Sequence, residues 1–426
     1  MQIKNIKVSN FKTFEKINVD IRGFNVLIGA NASGKSSFIS VLQFIEDIVK
    51  NGLDNAISMQ GGVDYIKNIN IGTSEKLSIE LCIESGDKPI QFGFKKEEDT
   101  KNIGLFLNEF MYAFGIDFYK NMKGYKVTEE KLVINCDVVE FAKKEMKNKR
   151  KIGQGKFIYN RDNGKIKSDF KGNIINKEDI IPPFFYKDDF FEEKLSPKEL
   201  LISTHNFVPL FLFGIRDFFS DISIYDFDPK LSKKSTLITG KTELEPDGSN
   251  LAIVLKNVLA NKKNKEKISN LIKDLLPFVE GIEVEKLADK SLLTSLKELY
   301  SGNKFIPAFL ISDGTINITA LIIALYFEEK SLIVIEEPER NIHPHIISKI
   351  VEMMNDVSER LNKQIIVTTH NPEVVRYTDI DNILLVHRDD KGFSQISRPS
   401  EKEEVKIFLE NEMGIEELYV QNLLEW

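Results

Sequence analysis

Several features are scarce or missing in this 426-residue chain, and each absence excludes a class of protein. Only two cysteines occur, Cys82 and Cys136, and neither belongs to a CxxC pair. This excludes a disulfide framework and favours a reducing, cytoplasmic setting. No apolar run is long enough to cross a membrane, and the alternating residues of Met1–Lys4 do not resemble a signal peptide. The net charge of −7 excludes a surface that is basic all round, so a nucleic-acid contact would need a local patch.

The N-terminal region shows a strand, a glycine-bounded loop and a helix in that order. Short strands are predicted over Met1–Val8, Lys16–Asp20 and the apolar segment Phe24–Ile28. From Lys35 onward, apolar residues recur at the spacing of one helical face. Further strands are predicted over Leu77–Cys82, Ile90–Phe94, Tyr125–Val127 and Leu132–Cys136.

The loop Gly29–Ser36 has the sequence GANASGKS, a complete GxxxxGK[ST] motif. Glycines allow the backbone to wrap around phosphates so that several N–H groups and the start of the helix face the anion. In this motif the lysine, Lys35, reaches the β- and γ-phosphates, and the serine, Ser36, ligates Mg²⁺. We therefore predict an ATP site formed by Gly29, Asn31, Ser33, Gly34, Lys35, Ser36 and Ser37, with Lys35 also taking a catalytic role.

A second motif, Ser331–Pro338, is an apolar strand that ends in two adjacent acids. This is the layout of a Walker B motif. The first acid, Glu336, is expected to hold the metal through water, and the second, Glu337, to polarise the attacking water. An isolated strand with acids at its end is usually an ordinary strand end, but the glycine loop favours the catalytic interpretation. Glutamate is longer by one methylene than the usual aspartate, which a contact through water tolerates.

Two further segments, each with polar residues at one end, complete the set of motifs. Gln364–His370 is an apolar strand ending in a histidine, and His370 is expected to sense the γ-phosphate or the attacking water. Leu310–Thr315 precedes an apolar helix and is similar to a degenerate ABC signature, in which Ser312 and Gly314 would form an anion site with the helix N-terminus. The alternative for this segment is a simple helix-capping turn.

In order and spacing, these motifs resemble the OLD- and RecF-like ATPases, an ABC/SMC-type group often described as AAA family ATPases of bacterial defence loci. Other segments that carry the resemblance are Val8–Phe14, Gly61–Gly62, Pro246–Leu251, Glu336–Pro344, Thr369–Pro372 and Gly414–Tyr419. The chain departs from the pattern at Glu336, which replaces the usual aspartate. No Q-loop glutamine is assigned: Gln43 lies on the predicted helix after the glycine loop, and Gln91 lies in a predicted strand.

The resemblance implies an α/β fold: an ABC-type P-loop ATPase head with a RecA-like parallel sheet, an antiparallel β subdomain, a mixed α/β insertion and a helical lobe. We expect residues 1–136 to form the N-terminal part of the head, 137–240 the insertion, and 241–426 the helical lobe with the rest of the head. The resemblance also implies ATP, Mg²⁺ and a homodimer or higher oligomer closed through a D-loop at Glu339–His343. His343 and His345 lack an evident third ligand, which argues against a metal site there.

The sequence is compatible with two main hypotheses for the function. One is an ATP-driven switch of anti-phage defence that controls a separate effector such as a nuclease, as in the Septu and retron-associated ATPases. The other is a RecF-like clamp for DNA repair. A transport ATPase is disfavoured by the long stretch between Ser36 and Asp313, and a nuclease in the same chain by the short segment after His370. The lysine-rich stretch 143–156 has two interpretations, a patch that contacts DNA or a solvated loop.

Overall fold

The computed structural model describes residues 1–86, 90–95, 101–119, 124–142, 145–173, 194–204, 210–410, 413–421 and 423–424. These residues form two compact units that interleave along the chain. The first unit comprises Met1–Arg22, Ser36–Ile222 and Arg388–Ile396, and the second comprises Gly23–Lys35, Ser223–His387 and Ser397–Trp426. The linear division at residues 136 and 240 stays a prediction, and its first boundary falls within a continuous strand.

The strands are β1 (Gln2–Phe11), β2 (Phe14–Asp20), β3 (Phe24–Ile28), β4 (Leu77–Glu84), β5 (Ile90–Lys95), β6 (Lys101–Phe118), β7 (Tyr125–Ala142), β8 (Glu145–Asp162), β9 (Lys165–Gly172), β10 (Ile222–Tyr225), β11 (Thr236–Leu237), β12 (Val279–Lys286), β13 (Ser291–Glu298), β14 (Ile306–Pro307), β15 (Leu332–Glu336), β16 (Gln364–Thr368), β17 (Ile383–Arg388) and β18 (Ser394–Ser397). The helices are α1 (Lys35–Asn51), α2 (Leu53–Met59), α3 (Val63–Ile66), α4 (Leu210–Ser220), α5 (Pro229–Ser232), α6 (Leu251–Ala260), α7 (Lys262–Leu275), α8 (Asp313–Tyr326), α9 (Pro344–Leu361), α10 (Pro372–Arg376), α11 (Glu403–Glu410) and α12 (Ile415–Val420).

The first unit is built on an eight-stranded antiparallel sheet. Its strand order is β2-β1-β4-β6-β7-β8-β9, with β5 paired to β6. The helix α1 packs against this sheet through Phe44, whose ring lies 5.9 Å from that of Phe11 and 6.5 Å from that of Phe114. Buried aromatic rings contribute large apolar areas, so this cluster is a major part of the unit's core.

The second unit contains a parallel sheet in which the strands of this unit follow the order β10-β15-β16-β3-β17. The strand β3 is buried along its whole length, as is β16, and such runs without alternation are typical of parallel strands covered on both faces. Glu336 pairs with Thr368, and Thr368 pairs with Leu27. The carboxyl ends of these strands therefore meet at one edge, where α/β sheets bind ligands.

A smaller sheet, β11-β13-β12 with β14 paired to β13, completes the second unit beside the helices α6 and α7. The helix α8 is buried over almost all of its length, in line with its mostly apolar sequence. The predicted combination of a parallel sheet, an antiparallel β subdomain and helices is confirmed. No helix in the described part of the chain is long and apolar enough to span a membrane.

The antiparallel sheet departs from the sequence prediction in two places. Tyr125–Val127 and Leu132–Cys136 were predicted as separate strands, but both belong to the single strand β7. The polar residues between them suggested a break, yet Glu130 is buried and binds the hydroxyl of Tyr112. The loop alternative for residues 143–156 is wrong from Glu145 onward, where the chain forms β8, while Lys143 and Lys144 lie outside the described residues. The segment 181–191, assigned to the insertion, also lies outside them.

Candidate active site

The loop between β3 and α1 has a shape that few residues other than glycine can adopt. Gly29 has a φ of 151°, and a Cβ atom at this position would lie 2.1 Å from the carbonyl oxygen of Val386. Gly34 has a φ of 123°, and Ala32 also takes a positive φ of 61°. Because strand β17 leaves no space beside Gly29, the first glycine of the motif is required by packing as well as by conformation.

Lys35 folds over this loop. Its ammonium group donates hydrogen bonds to the carbonyl oxygens of Gly29 at 2.6 Å and Ala30 at 3.1 Å. Burial lowers the pKa of Lys35, and the negative charge of Glu337 offsets part of this effect. Lys35 therefore lies within electrostatic reach of the second Walker B acid.

The other predicted loop residues differ in exposure. Asn31 and Ser36 are exposed, Ser37 is intermediate, and Ser33 and Gly34 are buried. Ser36 and Ser37 continue the first turn of α1, of which Lys35 is the first residue. Their predicted contacts with nucleotide and metal stay predictions.

Glu336 is the last residue of β15 and is partly buried. Burial raises the pKa of its carboxyl group, the charges of Asp226 and then Glu337 act in the same direction, and Arg340 opposes them. Because several negative groups surround Glu336, this edge of the sheet favours a cation.

Glu337 follows with a left-handed φ of 46°, and its N–H donates to the carbonyl oxygen of Thr368 at 2.9 Å. A non-glycine residue in this conformation is uncommon and persists only where its surroundings hold it. Its carboxylate lies between two donors: Nδ1 of His370 is 2.8 Å from Oε1, and Arg340 binds Oε2 at 3.1 and 3.2 Å. The structure thus brings the predicted residues Glu337 and His370 into direct contact.

The segment that carries His370 is held by a buried carboxyl group. The hydroxyl of Thr369 donates to Oε1 of Glu339 at 2.5 Å, and the N–H of Thr369 donates to the carbonyl of Leu27 in β3. Glu339 is 6% exposed, and burial raises its pKa, while the hydrogen bond from Thr369 opposes this. Glu339 therefore ties the D-loop segment to the strand end that presents His370.

The signature segment forms a helix cap. Ser312 is the N-cap of α8, and its hydroxyl accepts from the N–H of Thr315 at 3.2 Å. A Cβ atom on Gly314 would lie 2.4 Å from the carbonyl oxygen of Asn341, so the start of α8 approaches the D-loop segment closely. Within the described part of the chain, no hydrogen bond or ion pair links Ser312 or Gly314 to the loop lysine or to the Walker B acids.

Two contacts of this region were not predicted from the sequence. Asp226 directly follows the strand β10 and forms an ion pair with Arg340 at 2.7 Å. A strand followed by an acid is the pattern that identified Glu336, so this signal was present in the sequence. Tyr419 of α12 contacts the backbone of Gly29, and burial raises the pKa of its phenol while that contact opposes the effect.

The donor set fits a nucleotide-bound Mg²⁺ ion. No cluster of three or more His, Cys, Asp or Glu side chains that could hold a metal occurs among the described residues. Mg²⁺ in nucleotide sites is usually bound by one or two carboxylates together with phosphate oxygens and water, and it needs no such cluster. Glu336, at the same edge of the parallel sheet as the glycine loop, could supply such a carboxylate.

Comparison with known proteins adds a family match. A family described as "AAA domain, putative AbiEii toxin, Type IV TA system" matches residues 24–121 and 216–376, which is more than half of the chain. The matched ranges include the glycine loop, the signature segment, both Walker B acids and His370.

Two curated proteins are similar over shorter stretches. Endonuclease GajA from Bacillus cereus (strain VD045) is 33% identical over 105 residues, which cover 24% of this chain and 15% of that protein. The DNA replication and repair protein RecF from Thermoanaerobacter sp. (strain X514) is 29% identical over 103 residues, or 23% of this chain and 25% of that protein. Among solved structures, an SMC head bound to the C-winged helix domain of ScpA covers 93% of this chain and 98% of that one, with a TM-score of 0.47 and 15% identity.

Proposed function

The chain belongs to the family described as "AAA domain, putative AbiEii toxin, Type IV TA system", and from this premise we propose that it binds and hydrolyses ATP as a dimeric switch. The family and the fold are those of an ABC/SMC-like AAA ATPase. The finer proposal is that nucleotide controls the association of two copies and, through it, a separate effector of anti-phage defence.

One observation carries the proposal of ATP hydrolysis. The parallel sheet brings Glu337 and His370 into contact at its carboxyl edge, with Lys35 in electrostatic reach of Glu337. These three residues come from distant parts of the chain and match the three functions that phosphoryl transfer to water requires. Lys35 binds phosphate, Glu337 accepts a proton from water, and His370 orients Glu337 or the water.

The substrate and the metal are assigned from the same residues. The loop Gly29–Ser37 would hold the phosphates of ATP, and Glu336 with Ser36 would hold Mg²⁺. A bound Mg²⁺ ion neutralises charge on the phosphate oxygens during transfer. The residues of the chain align the water and the phosphates, which is where most of the catalysis of phosphoryl transfer arises.

Dimer formation is supported by the surroundings of the signature. At Gly314 the start of α8 closely approaches Asn341 of the D-loop segment of its own chain, and the Ser312 hydroxyl caps the helix. In this proposal the helix start offers its anion site to a second copy. The residues just before it, Phe309 and Leu310, are 61% and 68% exposed, and Tyr300 is 87% exposed. Large apolar side chains exposed next to each other, as Phe309 and Leu310 are in the chain, are typical of a protein interface. We propose that this face meets the phosphate loop of the second copy.

The ATPase proposal is tested with Lys35→Ala and a matched control, Lys273→Ala, which removes an exposed lysine of α7. We expect Lys35→Ala to lose binding of a fluorescent ATP analogue or phosphate release, whereas Lys273→Ala keeps both. Circular dichroism reports whether the fold survives. Wild-type phosphate release from Lys35→Ala would exclude this loop as the ATP site.

The effector proposal competes with a RecF-like DNA clamp, because the chain resembles both an endonuclease and RecF over about a quarter of its length. The two are separated by incubating the purified chain with DNA and RNA, ATP, and Mg²⁺ or Mn²⁺. A defence switch should cut nothing alone and should gain a nuclease or other toxic activity when the product of the neighbouring gene is added. ATP-dependent retention on DNA without such a gain would favour the clamp.

A further inference from the structure

Arg340 donates two hydrogen bonds to the carboxylate of Glu337, the proposed catalytic base. Its Nε and Nη2 atoms donate to Oε2 of Glu337 at 3.2 and 3.1 Å, and Nδ1 of His370 lies 2.8 Å from Oε1. A carboxylate offers about four lone-pair positions, two on each oxygen. Arg340 therefore fills both positions on one oxygen, while His370 takes one of the two on the other. A water that passes a proton to Glu337 must use the remaining position or displace a donor.

The backbone of Glu337 is held by two hydrogen bonds. Its φ of 46° is held by the hydrogen bond from its N–H to Thr368, and its carbonyl accepts the N–H of Arg340 at 2.9 Å. The start of the Glu337 side chain is therefore held in place. The guanidinium group of Arg340 is 39% exposed at its side chain and can change its partners.

A second carboxylate competes for the same guanidinium. Nη1 of Arg340 donates to Oδ1 of Asp226 at 2.7 Å. The backbone of Asp226 is anchored, since its N–H donates to the carbonyl of Pro246 at 2.9 Å. Burial lowers the pKa of Arg340, but the negative charges of Asp226 and then Glu337 outweigh this effect, so the pKa is raised overall. One permanent cation is thus shared between two anions on neighbouring strand ends.

The backbone of Arg340 connects this pair to the signature helix. Its carbonyl oxygen accepts a hydrogen bond from Nδ2 of Asn317 at 2.8 Å, and Asn317 lies in α8. The next residue, Asn341, touches Gly314 at the start of the same helix. A displacement of the start of α8 would therefore move the guanidinium relative to its two carboxylates.

We propose that Arg340 is a positioning residue that restrains Glu337, and that Asp226 draws the guanidinium away from it, so that the balance between the two carboxylates sets the rate of ATP hydrolysis. The inference rests on the proposed function and adds a regulatory contact to the same site. Contact of a second copy with the signature would act on this balance through α8.

The test compares steady-state ATP hydrolysis by the wild type, Arg340→Gln, Asp226→Asn and the double variant. Arg340→Gln frees Oε2 of Glu337, so we expect kcat to rise about five- to tenfold, the effect of one charge-assisted hydrogen bond at a partly exposed site. Asp226→Asn leaves the guanidinium to Glu337 alone and should lower kcat by a similar factor. Neither residue touches the phosphate loop, so KM for ATP should stay within about twofold.

Two further variants separate positioning from general damage. Asp226→Asn should have no effect in the Arg340→Gln background, because the cation for which Asp226 competes is then missing. Asp226→Glu keeps the carboxylate and should restore part of the lost kcat. Arg360→Gln, which removes an exposed arginine of α9, is the matched control for loss of charge.

Opposite changes in kcat are the decisive result. If Arg340→Gln and Asp226→Asn both slow hydrolysis, or if their effects are on KM, the inference is overturned while the ATPase function stands. If the wild type hydrolyses no ATP, or if Lys35→Ala hydrolyses it equally well, the proposed function fails and the inference fails with it.

Discussion

Adding one methyl group at Gly29 is the sharpest test of how the phosphate loop is built. In Gly29→Ala the new Cβ atom would lie 2.1 Å from the carbonyl oxygen of Val386 and 2.8 Å from Oγ of Ser33. The serine hydroxyl can rotate away, but the carbonyl belongs to strand β17 and cannot. Overpacking of this kind typically costs about 1–3 kcal/mol. A φ of 151° adds about 1–3 kcal/mol for a residue with a side chain.

We therefore expect Gly29→Ala to lower the free energy of unfolding by about 2–6 kcal/mol, a large fraction of the usual stability of a domain. Relief of the clash requires the loop to move away from β17. The displacement would carry the backbone N–H groups and Lys35 out of register with the phosphates. Affinity for ATP should then fall about 100-fold or more, which corresponds to about 2.7 kcal/mol.

The assay combines urea unfolding followed by circular dichroism with titration of a fluorescent ATP analogue. Gly52→Ala is the matched control, because Gly52 also has a positive φ, of 80°, but nothing lies within 4 Å of its added Cβ. It should lose only the conformational part, about 1–2 kcal/mol, and bind ATP normally. Equal losses of stability in the two variants, with unchanged ATP affinity in Gly29→Ala, would refute the close approach of the loop to β17.

Three further predictions concern catalysis, the second subunit and pH. Glu337→Gln should bind ATP but hydrolyse it about 10²- to 10⁴-fold more slowly in a phosphate-release assay, because an amide cannot accept the proton of the water. ATP should then hold two copies together on sizing or cross-linking, and a monomer under those conditions would contradict dimeric catalysis. Mixing Lys35→Ala with Ser312→Arg should recover part of the ATPase activity, since one composite site per mixed dimer stays intact, whereas no recovery at any ratio would mean that one subunit contains the whole site. Burial, followed by the charge of Glu46, raises the pKa of Asp47 to about 6. The folded state then binds a proton more tightly than the unfolded chain. The contribution of Asp47 to the free energy of unfolding should therefore be fully present below pH 4 and fall by about 3 kcal/mol as the pH rises through 6. Denaturant titrations should show this pH-dependent difference between the wild type and Asp47→Asn.

The sequence by itself determined where along the chain the strands that carry the chemistry lie. Apolar runs without alternation predicted β3, β15 and β16 as strands, and their bounds agree closely with the structure. The parallel sheet, which the family resemblance implied, places the carboxyl ends of these strands at one edge. The contact between Glu337 and His370 at that edge was not predicted from the sequence.

The tertiary structure alone decided the contacts between residues that no local pattern connects. Asp226 and Arg340 are 114 positions apart, and their pairing depends on which strand lies beside β15. The contact of Tyr419 with Gly29 likewise depends on where the C-terminal helix returns. Sequence periodicity reports which face of an element is buried, but it carries no information on which distant element covers that face.

The length of β7 shows the same limit within the antiparallel sheet. Charged residues in the middle of a strand normally indicate a turn, and here they concealed a single long strand. Burial of Glu130 is possible because Arg161 of β8 lies 3.5 Å away and Tyr112 of β6 donates a hydrogen bond at 2.6 Å. A buried charge is tolerated only where partners from other strands are in place, and the fold alone supplies those partners.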